Sequence, residues 1–287
     1  MAKFRSIKIA ALNIAMHQPH SQQRYMSLFR DAKRLRVLVE LGSLHAAILG
    51  SLNGPKEFVS GAVLTGEVYR FVKLDASEPW FNLNTSDVAS EGDMGGIQIP
   101  PHLLPHLQRI EFVFHPDKHE LWFVSQDRKD RIGSLAAATF FQNLFDRVHD
   151  DGKCAKVEVT PLPDKESLEI MLSLPQLDRL YLSLKRPNPD DAAGYEARWN
   201  ARLSRMNVQR LETELVASTG ASIQLDEDMR QQAIAASRNG SVRVLGRDSS
   251  GQKIDESTVA RPMILTQSVN SEIETSADVL LRTSRDN

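Results

Sequence analysis

The chain has 287 residues, which is enough to bury a substantial core without disulfides or structural metal. Its 41% hydrophobic and 25% charged residues exclude an intrinsically disordered chain. The formal net charge of -2 excludes a chain-wide electrostatic attraction to nucleic acid, and the single cysteine, Cys154, excludes an intramolecular disulfide.

Charge and hydropathy patterns indicate where the protein works. Residues 1–40 contain eight Lys or Arg against two acidic residues, a local net charge of +6. The sequence has neither the pattern of a signal peptide nor an apolar run near the ~20 residues that cross a bilayer. We therefore expect a cytoplasmic protein with no membrane partner and a basic patch in its N-terminal part.

The first part of the chain has a β-α-β-β pattern. A strand is predicted from Phe4 to Ile14, a helix from the N-cap Ser21 to about Leu38, and strands over Leu44–Leu52 and Ala62–Leu74. The region Asp75–Pro105 has no sustained period and is interpreted as a long ordered loop or lid, whose role the sequence does not give. This part is taken as an N-terminal half over residues 1–125.

The next part, residues 108–190, is predicted as a β-β-α-β-α-β half that shares one core with the first. Its predicted elements, in chain order, are a hairpin of Gln108–His115 and His119–Ser125, a helix from Ser134 stopped by Gly152, a strand around Val157, a helix begun by Asp164, and a strand over Leu177–Lys185.

Two helices and a closing hairpin are predicted over residues 191–269. The helices cover about Ala192–Ala217 and Asp226–Ser237, and the hairpin joins Ser241–Arg247 to Thr258–Leu265. Residues 270–287 are predicted as a flexible tail. The element order gives an α+β fold of two split β-α-β, ferredoxin-like units with a C-terminal helical segment.

Two sets of side chains could bind nucleic acid. Arg30, Lys33 and Arg34 lie on one side of the first predicted helix and could follow a phosphate backbone. The alternative, which the frequency of surface Lys and Arg favours, is a solvated helix face. Arg179, Tyr181 and Lys185, continued by Arg186, would lie on the polar face of a strand and could bind RNA. The alternative is that the long helix after this strand covers that face.

His17 and His20 are the catalytic candidates. They lie between the first strand and the basic helix, where a histidine beside cations could act as acid or base in RNA cleavage without a metal. The alternative is that they are loop histidines without catalytic duty.

Metal and cofactor motifs are weak or missing. His102 and His106, like His115 and His119, are four residues apart but lack the acidic or cysteine partners of a metal site. The sequence from Gly246 to Lys253 imitates a phosphate loop, but we predict a β-turn there. We expect neither a metal nor a cofactor.

Several segments resemble an uncharacterised bacterial family, a domain of unknown function found on plasmids and other mobile elements. They are Gly66–Leu83, Ile99–Phe114, Leu182–Asp191 and Asn239–Lys253. The resemblance implies one architecture from about Phe4 to Leu265 and a role in conflict between bacteria and phages or plasmids, but no catalytic residues.

Three functions therefore stay open. The first is binding of RNA or single-stranded nucleic acid in a mobile-element or phage-defence system. The second is a metal-independent ribonuclease of the same fold. The third is a protein-interaction subunit of a defence or toxin-antitoxin-like complex, which would bind its partner through the long C-terminal helix and the loop Asp75–Pro105.

Overall fold

The computed structural model describes residues 4–74, 78–96, 100, 102–186 and 195–287. Within these ranges the chain forms strands and helices that we number in chain order. The strands are β1 Phe4–Met16, β2 Val39–Leu41, β3 His45–Asn53, β4 Leu64–Val72, β5 Phe81–Asn82, β6 Asp87–Val88, β7 Gln108–His115, β8 Glu120–Asp127, β9 Asp130–Arg131, β10 Val157–Pro161, β11 Gln176–Lys185, β12 Arg210–Val216, β13 Gly240–Arg247, β14 Lys253–Ser257 and β15 Ile264–Asn270. The helices are α1 Gln22–Leu35, α2 Glu91–Met94, α3 Ser134–Asp150, α4 Lys165–Leu172, α5 Tyr195–Arg205, α6 Glu227–Arg238 and α7 Ser276–Asp286.

The larger sheet is built around the long strand β1. Its strand order is β10-β1-β8-β7-β4-β3-β2, and β9 is attached to β8. One side of β1 pairs with β8, while its other side pairs first with β15 and then with β10. Every strand pairing in the described residues is antiparallel. The expected combination of helices and sheets in one fold is confirmed.

Helices pack on both faces of the larger sheet. Helix α1 starts where the sequence predicts it, because the Ser21 side chain accepts a hydrogen bond from the backbone N–H of Arg24. Its Phe29 ring stacks 4.6 Å from Phe114 of β7, in a core shared with α3. On the opposite face, α7 buries Val279 and Leu280 against β1, β7 and β8.

The smaller sheet has the order β12-β11-β13-β14 and one apolar face. Leu180, Leu182 and Leu184 of β11 are buried on that face, together with residues of α4, α5 and α6. The predicted turn after Gly246 is confirmed, because the Asp248 carboxylate accepts hydrogen bonds from the backbone N–H groups of Ser250 and Gln252.

The strands of the range 108–190 divide between the two sheets. Strands β7, β8 and β10 lie in the larger sheet with β1, whereas β11 is the first strand along the chain that belongs to the smaller sheet. The prediction that Ser241–Arg247 and Thr258–Leu265 pair as a closing hairpin is wrong. Strand β13 pairs with β14, and β15 returns to β1, since an apolar strand can satisfy its hydrogen bonds with any strand of matching register.

The single long helix predicted over 192–217 is wrong. Residues 192–194 lie outside the described residues, α5 ends at Arg205, and β12 follows. Asn207 has a φ of 55°, a left-handed conformation that asparagine adopts readily and that ends a helix. After it, Leu211 and Leu215 are half-buried and alternate with exposed residues, which is the period of a strand.

The predicted flexible tail over 270–287 is also wrong. Thr275 and Asp278 form a reciprocal capping box at the start of α7, and the helix then buries its apolar side chains. Most residues of this segment are polar, and its apolar side chains are too few for a prediction from composition to indicate a buried helix. None of the described helices is both long and apolar enough to cross a membrane.

Candidate functional site

The two sheets meet at a polar junction centred on Glu158 of β10. This carboxylate is buried and accepts a hydrogen bond of 2.7 Å from the Lys185 ammonium group at the end of β11. Its other oxygen accepts a 3.1 Å bond from the Gln209 amide, just before β12, and lies 3.7 Å from the Lys156 ammonium group. The buried Glu158, in the larger sheet, therefore binds Lys185 in the smaller sheet and Gln209 next to it.

The charge state of Glu158 follows from these contacts. Burial by itself would raise the pKa of its carboxyl group, but the hydrogen bond and charge of Lys185, the amide of Gln209 and the charge of Lys156 outweigh burial and lower this pKa. Glu158 is therefore ionised at neutral pH, and the junction keeps more positive than negative charges.

A second connection lies further along β1. The buried Asn13 amide donates to the backbone carbonyl of Arg238 at 3.1 Å and to the side-chain oxygen of Asn239 at 2.9 Å. Because Asn239 caps the C-terminal end of α6, this contact fixes α6 and β13 against the larger sheet. The junction has a defined geometry.

His17 borders the junction directly after β1. Its backbone N–H donates to the carbonyl of Lys156 at 2.8 Å. Burial is the main cause that lowers the pKa of its imidazole, and the charges of Arg186 and Lys156 lower it further, against the opposing charge of Glu158. Its Nε2 atom is buried and has no hydrogen-bond partner among the described residues. A neutral imidazole beside cations is chemically suited to accept a proton.

Arg186 places another cation at this position. Its guanidinium group donates to the carbonyl of Val208 at 3.2 Å, and its backbone N–H donates to the carbonyl of Gln209 at 3.2 Å. The structure therefore brings together three of the residues singled out in the sequence, His17, Lys185 and Arg186. The segment after Arg186 lies outside the described residues up to 194.

A groove of about 430 Å³ lies beside the junction, between α3 and β10 on one side and β11 to β13 on the other. Among the described residues, the charged side chains that line it are those of Lys185 and Arg210. The polar lining side chains are amides and hydroxyls, namely Thr139, Gln142, Asn143, Thr160, Ser183 and Ser241. Lys185 pairs with Glu158 and Arg210 pairs with Glu212, but neither acid is among the described lining residues. Cations and neutral hydrogen-bonding groups therefore face the groove, which favours an anionic ligand.

The polar face of the smaller sheet carries Arg179 and Tyr181. The Arg179 guanidinium group donates to the Tyr181 hydroxyl at 3.2 Å and to Glu214 at 3.3 Å. Helix α5 does not cover them, because its Trp199 and Leu203 are buried with the leucines of the opposite face. This face of β11 thus continues towards the groove, where Ser183 and Lys185 line the wall.

The cations of α1 lie elsewhere. Arg30 donates to the backbone carbonyls of Met26 and Pro55, and Lys33 donates to those of Leu49, at 3.0 Å, and of Gly50. Arg34 pairs with Asp31 at 3.1 Å, with 77% of its side chain exposed.

These three cations line a separate groove of about 260 Å³ near β3. Strand β3 is five positions from β10 in the larger sheet, or about 24 Å at ~4.8 Å per strand. The structure therefore does not combine the two predicted basic sets into one surface.

His20, His115 and His119 contact neighbouring side chains. The His20 ring lies 5.3 Å from Tyr25 and 5.1 Å from His119, which is buried. His115 is hydrogen-bonded to the Ser284 hydroxyl of α7 at 2.8 Å. In the ranges that the structure describes, no group of three or more His, Cys, Asp or Glu side chains is placed to hold a metal ion.

Sequence reasoning missed Glu158, Gln209, Arg210 and Asn13. Glu158 stands between two valines of a strand, which usually indicates a solvent-exposed side chain. Arg210 and Gln209 fall inside a segment that was predicted as helix. Their roles depend on how the two sheets pack, and no local spacing encodes that.

Comparison with known proteins identifies the family but no activity. The sequence matches the family described as a domain of unknown function (DUF4747) over residues 5–285. No curated protein matches the chain. Since this match covers nearly all of the two sheets and the junction between them, the chain belongs to the DUF4747 family.

Proposed function

We propose that this protein binds RNA or single-stranded nucleic acid along the groove between its two sheets. The observation that carries the proposal is the groove lining, in which every charged residue of the described ranges, Lys185 and Arg210, is a cation. Lys156 and Arg186 add positive charge beside it. When such cations neutralise the phosphates of a nucleic acid, the counterions condensed on that nucleic acid are released. This release drives association.

The walls of the groove suit an unpaired strand. The amide and hydroxyl groups of Asn143, Thr139 and Ser241 can bind the Watson–Crick edges of bases, and these edges are free only in unpaired strands. Tyr181, on the neighbouring polar face of β11, offers an aromatic ring for stacking.

Fluorescence anisotropy with a labelled single-stranded RNA tests the proposal. We expect binding at 50 mM NaCl that weakens steeply at 200 mM. The double variant Lys156→Gln plus Arg210→Gln should bind at least tenfold more weakly. The slope of log K against log[salt] should be smaller in magnitude by about 1.4, because each lost phosphate contact removes ~0.7.

The matched control is Arg230→Gln plus Arg282→Gln. These cations also stand in exposed ion pairs, with Glu169 and Glu274, but they lie outside the groove. Equal losses in both double variants, or no binding at low salt, would remove the proposal. The variant Arg34→Gln tests the contribution of the separate α1 groove in the same assay.

We also infer that the larger sheet contains a split β-α-β unit of ferredoxin-like type. The neighbouring strands β10-β1-β8-β7 follow the spatial order 4-1-3-2, with α1 and α3 on one face, which supports this. Strands β2, β3 and β4 then extend the unit at one edge. An experimental structure that changes this strand order would overturn it.

RNA cleavage is a second candidate function, favoured by the position of His17. Its imidazole, whose pKa is lowered, could accept the proton of a ribose 2′-hydroxyl if RNA binding exposes it, while Lys156 and Arg186 stabilise charge on the attacked phosphate. Incubation of labelled RNA in EDTA tests this. Cleavage that persists in His17→Ala would exclude His17, and the parallel variant His20→Ala tests the other histidine.

Binding of a protein partner is a third candidate. The loop between β4 and β7 exposes the apolar side chains of Phe81, Leu83 and Val88, at 65%, 85% and 64%. Co-purification at native expression tests it. The setting that we propose, a bacterial mobile element or a phage-defence system, rests on the sequence resemblance, and genomic neighbours test that setting.

A further inference from the structure

Helix α3 begins at a pocket that is lined by residues of β1, β4, β8 and β9 of the larger sheet. Its N-cap residue, Gly133, offers no side chain to cap the helix, and the first intrahelical bond runs from the Ala137 N–H to the Gly133 carbonyl. The N–H groups of the first turn therefore have no partner within the helix, and the positive end of the helix dipole faces the pocket.

Ser134 is an independent sign of a ligand. It lines this pocket, is 6% exposed, and its hydroxyl oxygen is buried without a hydrogen-bond partner in the described part of the chain. A buried hydroxyl without a partner costs free energy, and a bound ion or water is one of the physical reasons for which native proteins keep such a group.

Three cations line the same pocket, which has a volume of about 300 Å³. They are Lys8 of β1, Arg70 of β4 and Arg131 of β9, and no Asp or Glu of the described ranges lines the pocket. Asp127, the nearest acid in β8, is bound instead to Arg5 and to the Ser276 hydroxyl.

The two arginines are held close together. Arg70 donates to the Gln108 amide oxygen at 2.8 Å and to the Arg131 backbone carbonyl at 3.2 Å, while its Nε atom is buried with no partner in the described ranges. Burial and the charge of Arg131 lower the pKa of Arg70, and the neighbouring His45 has its pKa lowered by burial and by both arginines. An anion would relieve this repulsion.

We propose that this pocket binds the dianionic phosphoryl group of a phosphate monoester. Three cations, a serine hydroxyl and free helical N–H groups match the several oxygens and the double charge of phosphate better than a carboxylate. The pocket volume is that of about ten water molecules in the liquid, which is larger than a phosphoryl group. Part of the esterified group therefore also fits. This inference does not rest on the proposed function, since the pocket and the groove share no lining residue.

Titration with inorganic phosphate tests the site. At matched ionic strength, we expect phosphate to raise the melting temperature of the wild-type protein more than chloride does. In calorimetry, Arg131→Gln and Ser134→Ala should each weaken phosphate binding at least tenfold. Lys8→Gln changes an exposed side chain and serves as a second variant if Arg131→Gln fails to fold. Arg128→Gln, an exposed cation that does not line the pocket, should bind like the wild type.

Two further probes identify the source of the phosphoryl group. A mononucleotide that competes better than a 5′-phosphorylated oligoribonucleotide indicates a small-molecule ligand, and the reverse order indicates a strand end. Equal stabilisation by phosphate and chloride, or equal losses in Arg128→Gln and Arg131→Gln, would overturn the proposal.

Discussion

Lys185 of β11 and Glu158 of β10 form a 2.7 Å hydrogen bond that joins the two sheets of this protein. The Glu158 side chain is only 10% exposed and that of Lys185 is 31% exposed, so water screens the pair weakly. The contact stands at the edge of the groove that we propose for nucleic acid, and it fixes one wall relative to the other.

Glu158→Gln should lower the free energy of unfolding by about 2 kcal/mol at pH 7, because the change leaves Lys185 and Lys156 without their counter-charge. Urea unfolding measures the loss. Glu212→Gln removes one acid from the exposed pair with Arg210 and should cost less than about 0.5 kcal/mol.

The pH dependence of this contact has a definite sign. The folded-state pKa of Glu158 is lowered, so its stabilisation is complete above the unfolded pKa of 4.5 and is lost as the pH falls through the lower, folded-state value. The difference in stability between the wild type and Glu158→Gln should therefore shrink below pH 4.5. A difference that stays constant would show that the carboxylate charge is not what stabilises the junction.

Local features of the fold were predictable from the sequence, while the partners of distant elements were not. Ser21, Asp164 and Asp226 cap helices through bonds to N–H groups three residues away, so the signal lies within one turn. The pairing of β15 with β1 joins residues more than 250 positions apart, and the pattern of either strand fits other partners.

The same contrast holds for the candidate site. Lys185, Arg186 and His17 stand out in the sequence by residue type, and the structure places them around one acid. Glu158 itself gave no signal, because a glutamate in a strand is ordinarily exposed, and only the packing of the second sheet buries it.

His17 should titrate below its ordinary pKa of 6.5, since burial and the neighbouring cations disfavour its charged form. NMR titration of the imidazole measures this. Between the lowered pKa and 6.5 the unfolded chain binds more protons, so the stability that His17 contributes above pH 6.5 is lost as the pH falls.

The matching stability measurement compares His17→Gln with the wild type at pH 7 and pH 5. The variant should lose less stability on acidification. His45 and His115, whose pKa values are also lowered, keep their contribution in both proteins and so cancel in the comparison. An imidazole that titrates above 6.5 would contradict the surroundings assigned to His17.

Leu280→Ala should lower the free energy of unfolding by about 2–4 kcal/mol, because Leu280 is fully buried between α7 and the larger sheet. Hydrogen exchange should show protected amides from Val279 onward, because the Val279 N–H makes the first backbone hydrogen bond of α7, to the Thr275 carbonyl. Ile273→Ala, just before α7 and 80% exposed, is the matched control and should change stability by less than about 0.5 kcal/mol. Equal, small effects of both changes would indicate that α7 is not anchored.

Cys154 should react slowly with iodoacetamide. Burial, followed by the charges of Asp31 and Asp146, raises the pKa of its thiol from 9.0 to about 11. At pH 7.5 the reactive thiolate is then roughly 100-fold scarcer than for an ordinary thiol. Because this is the only cysteine in the chain, mass spectrometry reads its labelling directly. Labelling in urea gives the unperturbed rate, and a native rate equal to it would refute the burial effect.

Ser134→Ala should raise the free energy of unfolding by about 1 kcal/mol in phosphate-free buffer, because it removes a buried hydroxyl that has no partner among the described residues. Ser284→Ala is the matched control. That serine is also buried in a helix, but its hydroxyl is hydrogen-bonded to His115 and to the Leu281 carbonyl, so its removal should cost about 1 kcal/mol. Opposite signs for two chemically identical substitutions separate a hydroxyl kept for a ligand from one kept for packing. A loss of stability in both would mean that Ser134 has a structural partner in solution and that the pocket lacks this sign of a bound anion.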